Sequence, residues 1–228
     1  TLGVMEYFGV NHRWDGDTLA IPHQSYQSRD YVVEPDWSSA FYWLEIAALA
    51  RNSEIILKGI PAHSLQGDSS IVQLMIAFGV HCTTSEEGIV VTKNKKAVRK
   101  VEADFLHHPD LAPALVATAA GLQSRAAFTG LQNLNAKESN RQDVLFSELS
   151  SAGVRVSSSP GKLQLSGGKI KRGAQFKVHN DHRMAMALAP LCLVNGAVEI
   201  DDPGVVKKSY PGFWDELEKA GFGVEVNG

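Results

Sequence analysis

Read for the spacing of its apolar residues, the chain alternates two kinds of helix with short β-type runs. "AFYWLEIAALA" (40–50), "DLAPALVATAAGL" (110–122) and "RMAMALAPLCLV" (183–194) are apolar on nearly every side, which predicts helices enclosed by the rest of the fold. "SSIVQLMIAFG" (69–79), "RQDVLFSELSSAG" (141–153) and "GFWDELEKAG" (212–221) carry one apolar stripe each, so they are expected on the core with a wet outer face. Between the two kinds lie "SEIILKGI", "SRAAFTGL" and "AVEIDDP", which read as strands. Segments such as "GVRVSSSPGKLQLSGG" (153–168) read as hairpins, here turned at Pro160-Gly161. Pro190 inside the third apolar helix predicts a bend.

The order repeats. Four helix endings, "YFGV" (7–10), "AFGV" (77–80), "SAGV" (151–154) and "KAGF" (219–222), place Gly9, Gly79, Gly153 and Gly221 at intervals of 70, 74 and 68 residues. Glycine just past an amphipathic run is the usual left-handed helix stop, and four in near-register imply a duplicated unit. Each apolar helix also follows an aspartate that closes a strand: Asp36 in "VVEPDWSSA", Asp110 in "FLHHPDLAPA" and Asp181 in "KVHNDHRMA". The predicted class is α/β (α+β): three βαβαββ units around buried helices, preceded by the tail of an earlier unit. "TLGVMEYFGV" at the start looks like the end of an amphipathic helix, so the chain is expected to be part of a longer polypeptide.

Composition narrows the function classes. A hydrophobic share of 44% in 228 residues suits a soluble globular core. A formal charge of −3 gives no overall basic field, and basic stripes interleaved with aromatics are missing, so no nucleic-acid partner is expected. No apolar run approaches a membrane span, so no membrane partner is expected either. Cys82 and Cys192 lie far apart without metal-ligand spacing, which favours a reducing, cytoplasmic setting. His107 and His108 lack a second ligand set, so no metal or other cofactor is expected.

Any anion site must then be local. Arg183 stands in the first turn of a helix, at the positive end of its dipole, which disfavours a cation unless an anion joins it. Lys137 and Arg141, with Glu138 between them, and Lys207 and Lys208 also precede or open helices, so the repeat gathers cations toward one end of the domain. Asp36 and Asp181 suit helix capping, and Asp110 is open to it as well. His182 is either a direct contact or a hydrogen bonder behind one. Glu138 suits a general acid or base if burial tunes it.

The motifs "KESNR" (137–141), "NDHRMAMA" (180–187), "KKSYPGFWDELEKAG" (207–221), "HHPDLAP" (107–113) and "EPDWSSAFY" (34–42) together resemble the 5-enolpyruvylshikimate 3-phosphate synthase family. The resemblance covers nearly the whole chain in order and spacing. It implies the C-terminal half of a two-domain, monomeric enzyme, with residues 1–30 the tail of the N-terminal domain and a hinge. Residues 31–228 are then the C-terminal enolpyruvyl transferase domain, with repeats at about 31–95, 96–172 and 173–228. The implied reaction moves the enolpyruvyl group of phosphoenolpyruvate to the 5-hydroxyl of shikimate 3-phosphate and releases phosphate, without a metal. On matching positions, Asp110 resembles the carboxylate that handles the shikimate hydroxyls and Glu138 the proton donor to the methylene carbon. Asn133 and Lys137 resemble shikimate-phosphate-side contacts, and Arg141, Arg183 and Lys208 contacts to phosphoenolpyruvate, with His182 and Asp36 behind them. The other half of the same chain is the implied partner, and this fragment alone is expected to be inactive. Ser139-Asn140, Pro35 and Trp37 depart from the family's usual residues. The rival readings are the sister transferase acting on UDP-N-acetylglucosamine, an RNA-binding protein of related repeats, and a non-catalytic anion-binding module.

Overall fold

The computed structural model describes residues 1–61, 63–93 and 96–226. The chain opens with α1 (Leu2–Tyr7) and an antiparallel hairpin, β1 (Arg13–Asp15) and β2 (Thr18–Ala20). The first third continues through α2 (Trp37–Leu49), β3 (Ser53–Lys58), α3 (Ile71–Met75), β4 (Val80–Ser85) and β5 (Gly88–Lys93). The middle third holds β6 (Lys100–Asp104), α4 (Ala112–Gly121), β7 (Arg125–Thr129), α5 (Arg141–Ser151), β8 (Val154–Ser159) and β9 (Lys162–Gly168). The last third holds β10 (Ala174–Phe176), α6 (His182–Leu188), α7 (Cys192–Asn195), β11 (Val198–Ile200) and α8 (Phe213–Lys219).

The middle third is a complete βαβαββ unit. Its sheet runs β6-β7-β9-β8, with β6 and β7 parallel and the other neighbours antiparallel. The first third repeats three of these positions as β3-β5-β4, and the last repeats the parallel pair as β10 with β11. Three features of the sequence pattern differ. Neither Asp110 nor Asp181 closes a strand, since β6 ends at Asp104 and β10 at Phe176. No strand leads directly into Asp36: residues 21–36 are irregular, and Val32 and Val33 are 89% and 79% exposed. The backbone there is tied instead to a loop, because the Glu34 carboxylate accepts from Leu65 N (3.0 Å) and Gln66 Nε2 donates to the Pro35 carbonyl (2.8 Å). Nor does a closing hairpin follow α8 among the described residues.

The four periodic glycines all have positive φ: 81° at Gly9, 84° at Gly79, 103° at Gly153 and 93° at Gly221. After α1 and α8 the turn is a full Schellman stop. Gly9 N donates to Glu6 O and Val10 N to Met5 O, and Gly221 N donates to Glu218 O and Phe222 N to Leu217 O.

The helices that are apolar all round form the centre. Every residue of α4 is buried, as are most of α2 and α6, and the three pack against one another. Small residues permit the close approach. A Cβ added at Gly121, the end of α4, would lie 2.6 Å from Leu49 of α2 and 3.1 Å from Leu191 beyond α6. The α6 segment changes to a 3-10 turn at Ala189–Leu191 before α7, since Pro190 has no N–H for the α-helical ladder. Amphipathic α5 and α8 lie outside, burying Val144, Leu145 and Leu149, and Phe213 and Leu217.

Candidate active site

The beginnings of the three central helices meet. Asp36 caps α2, accepting from Ser38 N at 3.0 Å and from Ser39 Oγ at 2.7 Å. Asp181 caps α6, accepting from Arg183 N at 3.0 Å. Asp110 caps nothing: it lies inside the 3-10 turn Pro109–Leu111 that leads into α4, and its carboxylate lies against Arg183 at the start of α6. Arg183 Nη2 is 3.4 Å from both Asp110 Oδ2 and Ser38 Oγ, so one guanidinium touches groups from all three starts.

Arg141, the first residue of α5, is the hub of the cluster and only 1% exposed. Its Nε donates to Asp181 Oδ2 at 2.7 Å, Nη1 to Asp110 Oδ1 at 2.9 Å, and Nη2 to Glu138 Oε2 at 2.6 Å and Asp181 Oδ1 at 3.2 Å. One Nη1 hydrogen is left over from the five that a guanidinium carries. Asp181 is completely buried, so the Arg141 fork supplies the charge that makes its burial tolerable. Lys137 Nζ lies 3.1 Å from Asp110 Oδ1, and Lys208, at the end of the 3-10 turn Pro203–Lys208, pairs with Glu138 Oε1.

Four cations thus surround three carboxylates: Lys137, Arg141, Arg183 and Lys208 against Asp110, Glu138 and Asp181. The surplus shows in the hydrogen bonding. Arg183 Nη1 is buried and has no partner, while its guanidinium carbon sits 5.7 Å from the centre of the Phe41 ring. A buried donor left unpaired is costly.

The proton affinities follow from these contacts. The Lys208 hydrogen bond, outweighing partial burial, holds the Glu138 carboxyl down at about 2. Burial pushes Asp110 upward, but Arg183, Lys137 and Arg141 together pull it below the ordinary carboxylate value. Both carboxylates are therefore ionised at neutral pH. Burial keeps His182 below its ordinary value; it is 5% exposed and its Nδ1 has no hydrogen-bond partner, 3.9 Å from Asp181 Oδ1.

Among the residues singled out from sequence, Asp110, Lys137, Glu138, Arg141, Arg183 and Lys208 are joined by direct contacts, with His182 and Asp36 immediately behind at two helix starts. Asn133 is exposed in the 3-10 turn Gln132–Ala136, and no contact joins its side chain to the cluster. The residues that depart from the family pattern have local work: Ser139 Oγ donates to Asp181 Oδ2 (3.0 Å), Asn140 caps α5 and Trp37 is buried at the start of α2. The sequence pattern points Asp181 to capping only and carries no sign of Ser38 or Asp68. Ser38 Oγ donates to Asp68 Oδ2 at 2.6 Å; nothing in the one-dimensional pattern brings together residues 30 apart in a loop and a helix.

Comparison with known proteins defines the class and then the family. The fold is that of enolpyruvyl transferases: the solved EPSP synthase of Acinetobacter baumannii superposes with a TM-score of 0.76 at 21% identity, over 98% of this chain and 54% of that one. The enolpyruvyl transferase NikO of Streptomyces tendae superposes with a TM-score of 0.67 at 17% identity, over 96% and 52%. The family model for EPSP synthase (3-phosphoshikimate 1-carboxyvinyltransferase) matches residues 1–217, and the chain belongs to that family. The curated 3-phosphoshikimate 1-carboxyvinyltransferase of Bacteroides fragilis is 40% identical over 230 residues, 99% of this chain and 56% of the relative. That of Dehalococcoides mccartyi is 32% identical over 223 residues, 97% and 52%. The chain spans about half the length of the curated relatives it matches.

Proposed function

We propose that these residues form one wall of an enolpyruvyl transferase site that joins phosphoenolpyruvate to shikimate 3-phosphate, the other wall coming from the region of the relatives that this chain does not match. The observation that carries the reading is the gathering of Lys137, Arg141, Arg183 and Lys208 where three helix starts meet, with the Arg183 side chain 13% exposed. It supports a docked anion at the point where three helix starts meet.

In the reaction the 5-hydroxyl oxygen of shikimate 3-phosphate bonds to C2 of phosphoenolpyruvate as its proton departs, and C3 gains a proton. The tetrahedral adduct then loses phosphate and a C3 proton, restoring the double bond. Arg183 takes the phosphoenolpyruvate carboxylate, and the spare Nη1 hydrogen of Arg141 assists. Asp110, held ionised by its cations, accepts from the shikimate hydroxyls and draws off the 5-hydroxyl proton. Lys137 and Asn133 face the shikimate side. Glu138 can donate to C3 only after gaining a proton, which its bond to Lys208 opposes. The substrate phosphate competes for Lys208, and losing that bond raises the proton affinity of Glu138. The clamps are charge-matched to a reaction whose positive character develops beside a carboxylate.

The two thiols, Cys82 and Cys192, are unpaired, which supports a cytoplasmic setting; no helix among the described residues is long and apolar enough to cross a membrane. We take the active unit to be a monomer of the longer polypeptide. Phosphate release from phosphoenolpyruvate by that polypeptide, with shikimate 3-phosphate and UDP-N-acetylglucosamine supplied separately, tests the reading. Release with shikimate 3-phosphate alone is expected; release only with the nucleotide sugar moves the chain to the sister activity.

A further inference from the structure

Arg183 is oriented from two sides. Asp110 reaches Nη2 at 3.4 Å on one side, and on the other Ser38 Oγ reaches it at 3.4 Å. Ser38 does not act alone. Its hydroxyl proton is committed to Asp68 Oδ2 at 2.6 Å, so the oxygen lone pairs are what it presents to the guanidinium. Asp68 in turn lies in the 3-10 turn Gly67–Ser70, directly after a loop that grips the start of α2. Gln66 Oε1 accepts from Trp37 N (2.9 Å), Gln66 Nε2 donates to Pro35 O (2.8 Å), and Asp36 Oδ1 accepts from Ser38 N (3.0 Å). Ser38 is thus fixed through backbone and side chain.

We propose that Ser38 and Asp68 are positioning residues for Arg183: Asp68 fixes the Ser38 hydroxyl, Ser38 accepts from Nη2, and the guanidinium is thereby held in place for the substrate carboxylate. An arginine has several rotatable bonds and about 2 kcal/mol of rotamer entropy. Holding one terminal nitrogen lowers what must be ordered when the guanidinium binds. The chain Asp68–Ser38–Arg183 also joins the 64–68 loop to the site, so a change in that loop reaches the clamp through one hydroxyl. The proposal rests on the reading that Arg183 binds the carboxylate of phosphoenolpyruvate.

The test uses the full-length polypeptide, with turnover and with equilibrium dialysis of phosphoenolpyruvate. Ser38→Ala should raise the KM for phosphoenolpyruvate about tenfold while the KM for shikimate 3-phosphate stays within about twofold and Tm is kept. Asp68→Asn, which retains an acceptor for the Ser38 hydroxyl, should fall between wild type and Asp68→Ala. In a double-mutant cycle Ser38→Ala and Arg183→Lys should be non-additive. An active wild type whose Ser38→Ala variant shows no selective KM change, or shifts both KM values together with Tm, overturns the proposal and leaves the functional reading standing. A wild type that binds phosphoenolpyruvate without turnover overturns the functional reading. Dialysis then decides the positioning role: about tenfold weaker binding by Ser38→Ala supports it, and unchanged binding overturns it. A wild type that neither turns over nor binds phosphoenolpyruvate overturns both.

Discussion

Two arginines of one site are held in opposite ways. Arg141 uses four donor contacts on three carboxylates, whereas Arg183 keeps a buried nitrogen free. Arg141→Ala strands the fully buried Asp181 carboxylate, so a loss of about 3–5 kcal/mol in urea unfolding is expected. Arg141→Lys should recover little of it, because an ammonium cannot reproduce the fork; a lysine variant as stable as wild type contradicts the hub role. Glu138 is depressed to about 2 by Lys208. It therefore contributes stability above its ordinary carboxylate value that disappears as pH falls toward about 2. Removing the ammonium with Lys208→Ala should move the Glu138 carboxyl resonance to a visibly higher midpoint, and an unmoved midpoint means that Lys208 does not govern its proton. Glu45 behaves in the opposite sense. It is fully buried in α2, both its oxygens lack partners, and burial raises its proton affinity well above the ordinary value. The folded state keeps that proton while the unfolded chain gives it up, so stability falls as pH rises above the ordinary carboxylate range. Glu45→Gln should flatten the decline in urea midpoint as pH rises above the ordinary carboxylate range; parallel wild-type and variant curves would count against it.

At the scale of elements, the periodic glycines offer a graded test. Ala at Gly221 meets nothing within 4 Å and faces only the left-handed backbone, for a cost of about 1–2 kcal/mol. At Gly153 the new Cβ also lies 2.8 Å from the Lys169 carbonyl, so the loss in unfolding free energy should be clearly larger; equal losses would show that the carbonyl yields freely. Much of this layer was legible in sequence. Buried helices, glycine stops, the middle βαβαββ unit and the Pro160-Gly161 turn all follow from local pattern, which reports burial and backbone freedom directly. The strand expected before Asp36 did not form, because a strand needs a partner edge and "YVVEP" is bonded to the 64–66 loop instead. For the site, charge at helix starts pointed to residues that the structure brings into one cluster, but the bonds among Arg141, Asp110 and Asp181 join residues 31 and 40 positions apart. Spacing along a chain carries no signal for those, and the same holds for Ser38 with Asp68.

At the scale of the molecule, a repeated unit brings equivalent helix starts to one place, and the differences between units supply the chemistry. The starts of α2, α4 and α6 contribute a serine, an aspartate and an arginine to one cluster. On the proposed function, Arg183 is the clamp of this cluster and its ligand is the carboxylate of phosphoenolpyruvate. The direct measurement is the steady-state kinetics of Arg183→Ala in the full-length polypeptide, varying phosphoenolpyruvate and shikimate 3-phosphate in turn. We predict a fall of about 100-fold or more in kcat/KM for phosphoenolpyruvate, a KM for shikimate 3-phosphate within about twofold of wild type, and an unchanged Tm. Unchanged kcat/KM for phosphoenolpyruvate, or equal losses for both substrates, would contradict it.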